Sequence, residues 1–273
     1  MQRRSQTFLI LLVLLTVVST GNAMPLSVRA DSTTIIKVMT YNTHHCNPPG
    51  KPGVIDVDAV ANVVKAQNAD IVALQEIDVN TARSGNINQA ELLASKTGYK
   101  FYFFAKAMDF DSGQYGVLIL SKYSLKDTAT HALPKAEDPG GRGEPRVVAL
   151  ATVELPGGKS FRFGSTHLEA YNKTSRLLQA KDINSIASST TLPFIIAGDF
   201  NARENSDVIN TIDEHFIRTC TNCAGTFVGK RDEGAIDYIA ASPRSTIEVL
   251  SHSVVPDKET SDHMPVVVTL KLK

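Results

Sequence analysis

The chain has 273 residues, of which 42% are hydrophobic and 21% are charged, and its 28 basic side chains match 28 acidic ones. This composition is typical of a globular protein and excludes the disordered, collagen-like and disulfide-dense classes. Residues 1–30 hold three arginines and no acid, so the remaining 243 residues carry 25 basic against 28 acidic side chains, a net charge of −3. The sequence therefore lacks the basic excess of a general polyanion-binding protein.

The N-terminal segment, residues 1–30, is predicted to be a signal peptide. Two arginines precede an apolar run from Phe8 to Val18, and small and polar residues follow this run. The run is short for a bilayer-spanning helix. Cleavage is expected after Ala30, with Ala23 as the alternative site, and an uncleaved anchor is the alternative interpretation. We therefore expect an exported protein that is periplasmic or secreted.

The cysteines indicate a disulfide rather than a metal site. Cys220 and Cys223 are separated by two residues, and a zinc ribbon would need a second such pair, which the sequence lacks. The residues that follow do not provide the strand and helix of a thioredoxin-like redox motif. In an oxidising compartment a local disulfide between these two residues is expected. Cys46 is then either a buried thiol or a residue that reaches the same loop.

The first half of the chain beyond the signal peptide alternates predicted strands with predicted helices. Val57, Val60, Ala61 and Val64 recur at helical spacing, and Asp56 is placed to cap that helix. The other predicted elements of this half are a strand at Ile35–Tyr41, a strand at Ile71–Leu74, a helix at Gln89–Lys96 that stops at Gly98, and strands at Phe101–Ala105, Tyr115–Ser121, Arg146–Leu155 and Phe161–Leu168.

The second half repeats this plan with fewer strands. Its predicted elements are helices at Lys173–Ser188 and near Ser206–Phe216, and strands at Phe194–Ala197, Ile236–Ala241, Glu248–Val255 and Pro265–Leu270. Strands outnumber helices, and no internal linker rich in glycine, proline or serine divides the chain. An α/β fold with two packed sheets and helices on the outside therefore fits better than one doubly wound sheet.

Polar side chains stand at or beside the ends of the predicted strands. Any one of them is more often a turn former or a cap, but a sandwich can gather strand ends at one rim. Acids gathered there would repel each other unless a hard cation such as Mg²⁺ joined them. Histidines there are suited to binding a phosphate oxygen or moving a proton. The set comprises Asn42, Glu76, Tyr115, His167, Asp199, Asn201, Asp237, Asp262 and His263.

Seven short motifs carry these residues in one order along the chain. They are Met39-Thr40-Tyr41-Asn42, Leu74-Gln75-Glu76, Tyr115-Gly116-Val117, Ser165-Thr166-His167-Leu168, Gly198-Asp199-Phe200-Asn201, Ile236-Asp237-Tyr238 and Ser261-Asp262-His263-Met264-Pro265. The series resembles that of the endonuclease/exonuclease/phosphatase superfamily. The resemblance implies a domain over residues 31–273 that forms a four-layer α/β/β/α sandwich, with two mainly antiparallel sheets flanked by helices. It also implies metal-dependent hydrolysis of a phosphoester.

The same resemblance implies a metal site and a group that activates water. Glu76 would be the main ligand of Mg²⁺, with Mn²⁺ as a possible replacement. Asn42 would lie beside it, and Asp262 would contribute from the other side. Asp199 would hold the attacking water as a base or an orienting group, with Asn201 as a neighbouring polar anchor.

Four further residues would act on the phosphate group by the same resemblance. His263 would contact the scissile phosphate, and Asp237 would fix its ring and favour its protonated form. His167 and Tyr115 would donate additional hydrogen bonds. Together these groups would stabilise the charge that develops on a five-coordinate phosphorus.

Two departures from the family pattern leave the substrate open. Abasic-site endonucleases carry an acid two residues after the asparagine position, where this chain has His44. They also lack the histidine found here in Thr-His167-Leu, which resembles the secreted deoxyribonuclease, sphingomyelinase and phosphatase branches. His44 and His45 could join the metal site or bind phosphate, or they could only cap the strand.

A glycine-rich segment, residues 140–146, leads into a predicted strand. It could bring Arg142 or Arg146 to a substrate phosphate or carboxylate. The alternative is an ordinary flexible connection.

Three functions follow from these observations. The first is an exported phosphodiesterase or phosphatase for a small or lipid-derived phosphoester, with transient membrane-surface contact if the substrate is a lipid. The second is a secreted nuclease, which is less favoured because Lys122, Lys126, Lys173 and Arg176 are scattered rather than massed. The third is an inactive binding module, and the intact acidic and histidine motifs argue against it. No later segment predicts a transmembrane helix, and a monomer is expected.

Overall fold

A computed structural model describes residues 34–137, 140–229, 234–242 and 247–273. The predicted signal peptide lies outside the described residues. These contain the strands β1 Thr34–Asn42, β2 Ile71–Val79, β3 Phe101–Phe110, β4 Gly113–Ser121, β5 Ser124–Ala132, β6 Val147–Glu154, β7 Ser160–His167, β8 Phe194–Asp199, β9 Ile217–Arg218, β10 Asp237–Ser242, β11 Ile247–Val254 and β12 Val266–Leu272. The helices are α1 Val57–Gln67, α2 Gln89–Thr97, α3 Lys173–Ser188 and α4 Asp207–His215.

The strands form two sheets of six strands each. The first sheet has the order β11-β12-β1-β2-β4-β3, and the second has the order β5-β6-β7-β8-β10-β9. Each sheet holds one parallel pair near its centre, β1 with β2 and β7 with β8, and its other described pairs are antiparallel. The predicted sandwich of two mainly antiparallel sheets is confirmed.

Three buried apolar clusters define the layers. The cluster between the sheets joins residues such as Ile119 of β4 with Phe163 of β7 and Ile195 of β8. A second cluster packs α3 and α4 on the outer face of the second sheet, and a third packs α1 and α2 on the outer face of the first. Because each sheet is apolar on both faces, each is covered on both, which gives the α/β/β/α order.

The helix boundaries follow from side-chain caps. The Asp56 carboxylate accepts a hydrogen bond from the Ala59 backbone N–H at 2.9 Å, as the sequence predicts. Helix α2 ends at Gly98, whose φ of +78° is left-handed and therefore favours glycine. Caps of the same kind, from Asn172 and Ser206, begin α3 and α4.

Two strands and two strand extensions were not predicted. Strand β5 is polar and largely exposed because it is an edge strand that pairs only with β6 among the described strands. The two-residue strand β9 also lies at an edge. Strand β2 continues beyond Leu74 to Val79 through a bulge, and β3 continues to Phe110. An apolar pattern does not reveal such segments because their side chains are not all buried.

The cysteines behave as expected for one local disulfide. Cys220 and Cys223 are bonded, with their Cα atoms 5.4 Å apart, whereas Cys46 is a buried free thiol. This decides between the two alternatives for Cys46. Among the described helices, none has the length and apolar character needed to cross a membrane.

Candidate active site

The sheet topology gathers the predicted strand-end residues at one rim. In the first sheet, the parallel pairing of β1 with β2 sets Asn42 beside Gln75, so Glu76 comes next along the strand. In the second sheet, β7 and β8 set His167 beside Asp199, and β10 sets Asp237 opposite Asp199. Parallel strands end at the same edge, so each sheet delivers its polar residues to a shared position.

A cavity of about 370 Å³ opens at this rim. Nine of the twelve predicted site residues line it, and Asn42 and Asp237 lie directly behind it in contact with lining residues. Arg142 is exposed and is not part of the lining, so its predicted role stays a prediction. The lining consists of His44, His45, Glu76, Arg83, Met108, Phe110, Tyr115, Glu144, Arg146, His167, Ala170, Tyr171, Asp199, Asn201, Phe227, Asp262 and His263.

Asn42 lies between the two acids at the centre of the site. Its buried side-chain Nδ2 donates to Glu76 Oε1 and to Asp199 Oδ2, both at 3.1 Å. Its Oδ1 accepts a hydrogen bond from the His44 backbone N–H at 3.1 Å. The amide thus holds two carboxylates near each other that would otherwise repel. Its role as a metal ligand stays a prediction.

Glu76 is turned into the cavity by the backbone. Its φ of +59° is left-handed, and the pairing of β2 with β4 shifts between Leu74 and Ile77 at a bulge. The side chain keeps 21% of its surface exposed, and Oε2 lies 3.6 Å from Nδ1 of His45. Burial alone would raise the pKa of Glu76, but the contacts with His45 and Asn42 hold the pKa well below its usual range. Glu76 is therefore ionised and accessible from the cavity.

The pair Asp237 and His263 has the predicted geometry. His263 Nδ1 lies 2.9 Å from Asp237 Oδ2, and Nε2 lies 3.7 Å from Asp199 Oδ2. Burial disfavours the charged ring, but the negative charges of Asp237 and then Asp199 raise the pKa of His263 to about 10. The ring is therefore an imidazolium at neutral pH.

Asp199 is almost fully buried. Its Oδ1 accepts a hydrogen bond from the Asn201 backbone N–H at 2.8 Å, and Asn201 Nδ2 donates to the Leu168 carbonyl at 2.9 Å. Burial, followed by the charge of Asp237, raises the pKa of Asp199. Asn201 therefore holds both the Asp199 carboxylate and the chain after β7, and its role in catalysis stays a prediction.

His167 and Tyr115 form a chain of contacts that leads to Asp199. His167 Nε2 lies 3.4 Å from Asp199 Oδ2, and Nδ1 lies 3.4 Å from the Tyr115 hydroxyl. Burial and then the charge of Arg146 hold the pKa of His167 well below its usual value, so the ring is neutral. Burial also raises the pKa of Tyr115, which keeps its proton. The consistent assignment has Tyr115 donating to Nδ1 and Nε2–H donating to Asp199.

Comparison with known proteins identifies the family. A sequence model described as the Endonuclease/Exonuclease/phosphatase family matches residues 39–263. The chain belongs to this family. Its members are hydrolases that act on phosphoesters. No curated protein sequence matches the chain significantly.

Solved structures of the endonuclease/exonuclease/phosphatase fold resemble the protein over most of its length. An endonuclease/exonuclease/phosphatase from Beutenbergia cavernae DSM 12333 has a TM-score of 0.73 and 23% identity, covering 87% of this chain and 72% of that chain. The mannosyl-6-phosphatase Bt3783 of Bacteroides thetaiotaomicron VPI-5482 has a TM-score of 0.67 and 18% identity, covering 86% and 99%. The human Nocturnin catalytic domain with bound sulfate has a TM-score of 0.66 and 19% identity, covering 89% and 97%. At these identities the likeness shows the fold alone.

His44, which replaces the acid of the abasic-site endonucleases, and its neighbour His45 also reach the cavity. His44 and His45 have left-handed φ values of +48° and +43°, and both line the cavity. His44 Nδ1 is bonded to the Asn47 carbonyl at 2.7 Å, whereas His45 faces Glu76. Asp262 also lines the cavity, and it directly precedes His263 in the sequence.

Several residues of this family member's site were not predicted from the sequence. Arg83 lines the cavity and forms a two-point ion pair with Asp78. An acid within an otherwise buried strand indicates a hidden cationic partner, and this signal could have found Arg83. Thr226 donates its hydroxyl to Asp237 Oδ2 at 2.6 Å, and the Phe227 ring packs 5.1 Å from His263. No sequence pattern marks these two residues.

Two groups of side chains have the chemistry to bind a divalent cation. Asp199, Asp237 and His263 offer three buried ligand atoms within 4.8 Å of one another. A protonated His263 would repel a cation there, because both of its ring nitrogens carry protons. The ionised and accessible Glu76, with Asp262 on the same cavity, provides the oxygen ligands that Mg²⁺ prefers. The residues present therefore fit the predicted metal.

Proposed function

We propose that the protein is an exported, divalent-metal-dependent phosphoester hydrolase, a phosphodiesterase or phosphatase that acts on a small or lipid-derived substrate. The supporting observation is the Asp237–His263–Asp199 arrangement at the cavity wall. It places a ring that is an imidazolium at neutral pH beside a buried carboxylate, with His263 Nε2 at 3.7 Å from Asp199 Oδ2. This is the pairing needed to bind a phosphate oxygen and activate water at the same point.

Asp199 would orient the attacking water and accept its proton. Burial and the Asp237 charge raise the pKa of this carboxyl, which makes it a stronger base than a surface aspartate. Hydrogen bonds from Asn42 and from the Asn201 backbone fix its two oxygens. Because the carboxylate cannot rotate freely, a bound water would meet it in one orientation.

His263 would stabilise the negative charge on the phosphoryl oxygens. Asp237 holds the ring through Nδ1, so Nε2–H is the proton that remains for a phosphate oxygen or a leaving group. His167 would keep Asp199 aligned through Nε2, and Tyr115 would hold the tautomer of His167. Such fixed donors cost no reorganisation during the reaction.

Glu76, Asp262 and the neighbouring Asn42 would hold Mg²⁺, with Mn²⁺ as a possible replacement. When bound, the cation would supply Lewis-acid activation of the phosphate and stabilise the leaving group.

The size of the cavity supports a small substrate. At about 370 Å³ it lies within the usual range for small-molecule sites, roughly 300–1,000 Å³. The structural similarity to a mannosyl-6-phosphatase also supports a phosphatase. Export is supported by the predicted signal peptide and by the Cys220–Cys223 disulfide, which is typical of oxidising compartments. A lipid-derived substrate would add transient contact with a membrane surface, and a monomer is proposed.

A substrate screen with matched variants tests the proposal. Purified protein is given an aryl phosphate monoester, a bis-aryl phosphodiester, sphingomyelin-type and inositol-type lipids, duplex DNA and RNA, with Mg²⁺ or with EDTA. We expect turnover of a small or lipid phosphoester that EDTA abolishes. Glu76→Gln should remove it, whereas Glu154→Gln, an exposed acid on β6, should not. Faster cleavage of DNA or RNA would favour the nuclease alternative over this proposal. If none of the substrates is turned over in a metal-dependent way, the proposal that the protein is an enzyme is refuted.

A further inference from the structure

Two arginines flank Tyr115 at the wall of the active-site cavity. The Arg83 guanidinium lies over the Tyr115 ring, 5.6 Å from its centroid. The positive charge of Arg146 acts on the Tyr115 hydroxyl, where it opposes the rise in pKa that burial and the Glu76 charge cause. Both arginines line the cavity. Two guanidinium groups, each paired with an acid, therefore lie at one part of its wall.

Arg146 carries donors that the protein does not use. Only 3% of its side chain is exposed, and Nη2 pairs with Glu144 Oε2 at 2.7 Å. The buried Nε and Nη1 atoms have no hydrogen-bond partner among the described residues. Buried N–H groups without partners are unfavourable and rare in folded proteins. Because Arg146 lines the substrate cavity, an anionic ligand there is a suitable source of the missing acceptors.

Arg83 is held rigidly in place. Its Nε and Nη2 bind the two oxygens of the buried Asp78 at 2.7 and 2.9 Å, and its guanidinium stacks on Phe110 at 4.4 Å from the ring centroid. A guanidinium fixed on two sides loses little conformational freedom when it binds a ligand.

Arg146 lies on the Tyr115 side of His167 and adjoins the hydrolytic centre, because its charge still acts on the His167 ring. The path from Asp199 runs over 3.4 Å to His167, across the imidazole ring, and over another 3.4 Å to the Tyr115 hydroxyl. Arg146 and Arg83 lie around Tyr115 at the end of this path. An anion that binds Arg146 therefore lies on the Tyr115 side of His167, whereas a phosphate at Asp199 and His263 lies on the Nε2 side of that ring.

We propose that Arg146 and Arg83 form a subsite for a second anionic group, a phosphate or a carboxylate, of the phosphoester substrate. The proposal rests on the proposed hydrolase function. It narrows the substrate class to small phosphoesters that carry a further oxyanion near the scissile phosphate. Glu144 limits the strength of the subsite because it already occupies one nitrogen of Arg146.

Three small ligands of similar size test this subsite. Glycerol 3-phosphate has one anionic group, 3-phosphoglycerate adds a carboxylate, and glycerol 1,3-bisphosphate adds a phosphate. Binding is measured by calorimetry with Mg²⁺ on an Asp199→Asn background, which prevents turnover. We expect at least one of the two-anion ligands to bind about tenfold tighter than glycerol 3-phosphate, the gain typical of a charge-assisted hydrogen bond. The ligand that gains more identifies the second group.

Two variants test whether Arg146 causes the difference in affinity between one-anion and two-anion ligands. Arg146→Met should remove most of the preference for two anions, whereas Glu144→Gln should increase it by freeing Nη2. Arg162→Met serves as the control because Arg162 lies on β7 outside the cavity lining. If Arg146→Met does not fold, as judged by circular dichroism, the test rests on whether Glu144→Gln increases the preference for two-anion ligands.

Equal affinity for all three ligands, or a preference that neither Arg146→Met nor Glu144→Gln changes, would overturn the subsite. Turnover of an aryl phosphate ester by the unaltered enzyme is measured in parallel. If the enzyme turns over the aryl phosphate ester but shows no preference for two-anion ligands, only the subsite is refuted. If it shows neither turnover nor this preference, both proposals are refuted.

Discussion

Replacing Asp237 by asparagine isolates the charge that keeps His263 protonated. The structure gives His263 a pKa of about 10, against an ordinary value near 6.5, because Asp237 and Asp199 outweigh the effect of burial. The difference corresponds to roughly 5 kcal/mol in favour of the imidazolium. Asp237→Asn keeps the shape and a possible hydrogen bond but removes the partner charge at 2.9 Å, so the pKa of His263 should fall.

Two consequences follow for activity. The fraction of enzyme with a charged ring decreases at neutral pH, and the donor that remains is poorly oriented. We expect kcat to fall by about 10²-fold or more, the loss typical of one fixed transition-state donor. The alkaline limb of the pH–rate profile, set in the unaltered enzyme by loss of the imidazolium proton, should move to lower pH.

The free energy of unfolding should also depend less on pH in Asp237→Asn than in the unaltered protein. A raised pKa in the folded state adds to the free energy of unfolding fully below about pH 6.5, and this contribution is lost as the pH rises through about 10. In Asp237→Asn the contribution is smaller, and its loss ends at lower pH. Urea unfolding at pH 6 and pH 9 measures this contribution. The free energy of unfolding should fall less between these two pH values in the variant than in the unaltered protein.

A surface pair provides a matched control for this experiment. Asp182 lies 2.6 Å from His131 outside the cavity, so Asp182→Asn breaks an aspartate–histidine pair without touching the site. The assay is kcat from pH 5 to 11 with an aryl phosphate ester at saturating Mg²⁺, because the alkaline limb of the unaltered enzyme is expected near pH 10. Near-native kcat with an unmoved alkaline limb in Asp237→Asn would remove Asp237 from the catalytic group.

Three further predictions concern the metal, a positioning contact and the cysteines. Glu76→Gln should abolish divalent-metal binding by calorimetry and preserve the melting temperature in EDTA; an unchanged titration would place the cation elsewhere. Thr226→Val should lower kcat about tenfold by removing the 2.6 Å hydrogen bond to Asp237, and Thr226→Ser should restore it, whereas equal rates in both variants would contradict a positioning role. Alkylation of the denatured, unreduced protein should label Cys46 alone, and mass spectrometry detecting three labels without reductant would contradict the disulfide.

The sequence predicts the buried strands and the groups at their ends well. Strands such as Phe194–Asp199 consist of continuous apolar residues followed by an acid, and both the strand and the position of the acid at the rim are confirmed. The order of motifs then indicates which acids share a rim, because the family topology fixes which strands are neighbours.

The contacts between residues that are distant in sequence could not be predicted from the sequence. Asn42 bridges Glu76 and Asp199, and this depends on the distance between two sheets rather than on any local pattern. The glycine-rich segment suggests two arginines equally, yet Arg146 is buried at the cavity and Arg142 is exposed. Burial of a cation becomes predictable only when its neighbours in space are known.

The pairing of the first strand with the last has a consequence for how the enzyme matures. Strands β1 and β12 run side by side from Thr34 opposite Leu272 to Thr40 opposite Val266, and His263 lies just before β12. Asn42 and His263, 221 positions apart in sequence, approach to 3.5 Å only when this pairing forms. A chain in which β12 has not yet paired with β1 lacks this contact between Asn42 and His263. In the proposed hydrolase, the catalytic centre is therefore complete only when β12 has joined the first sheet.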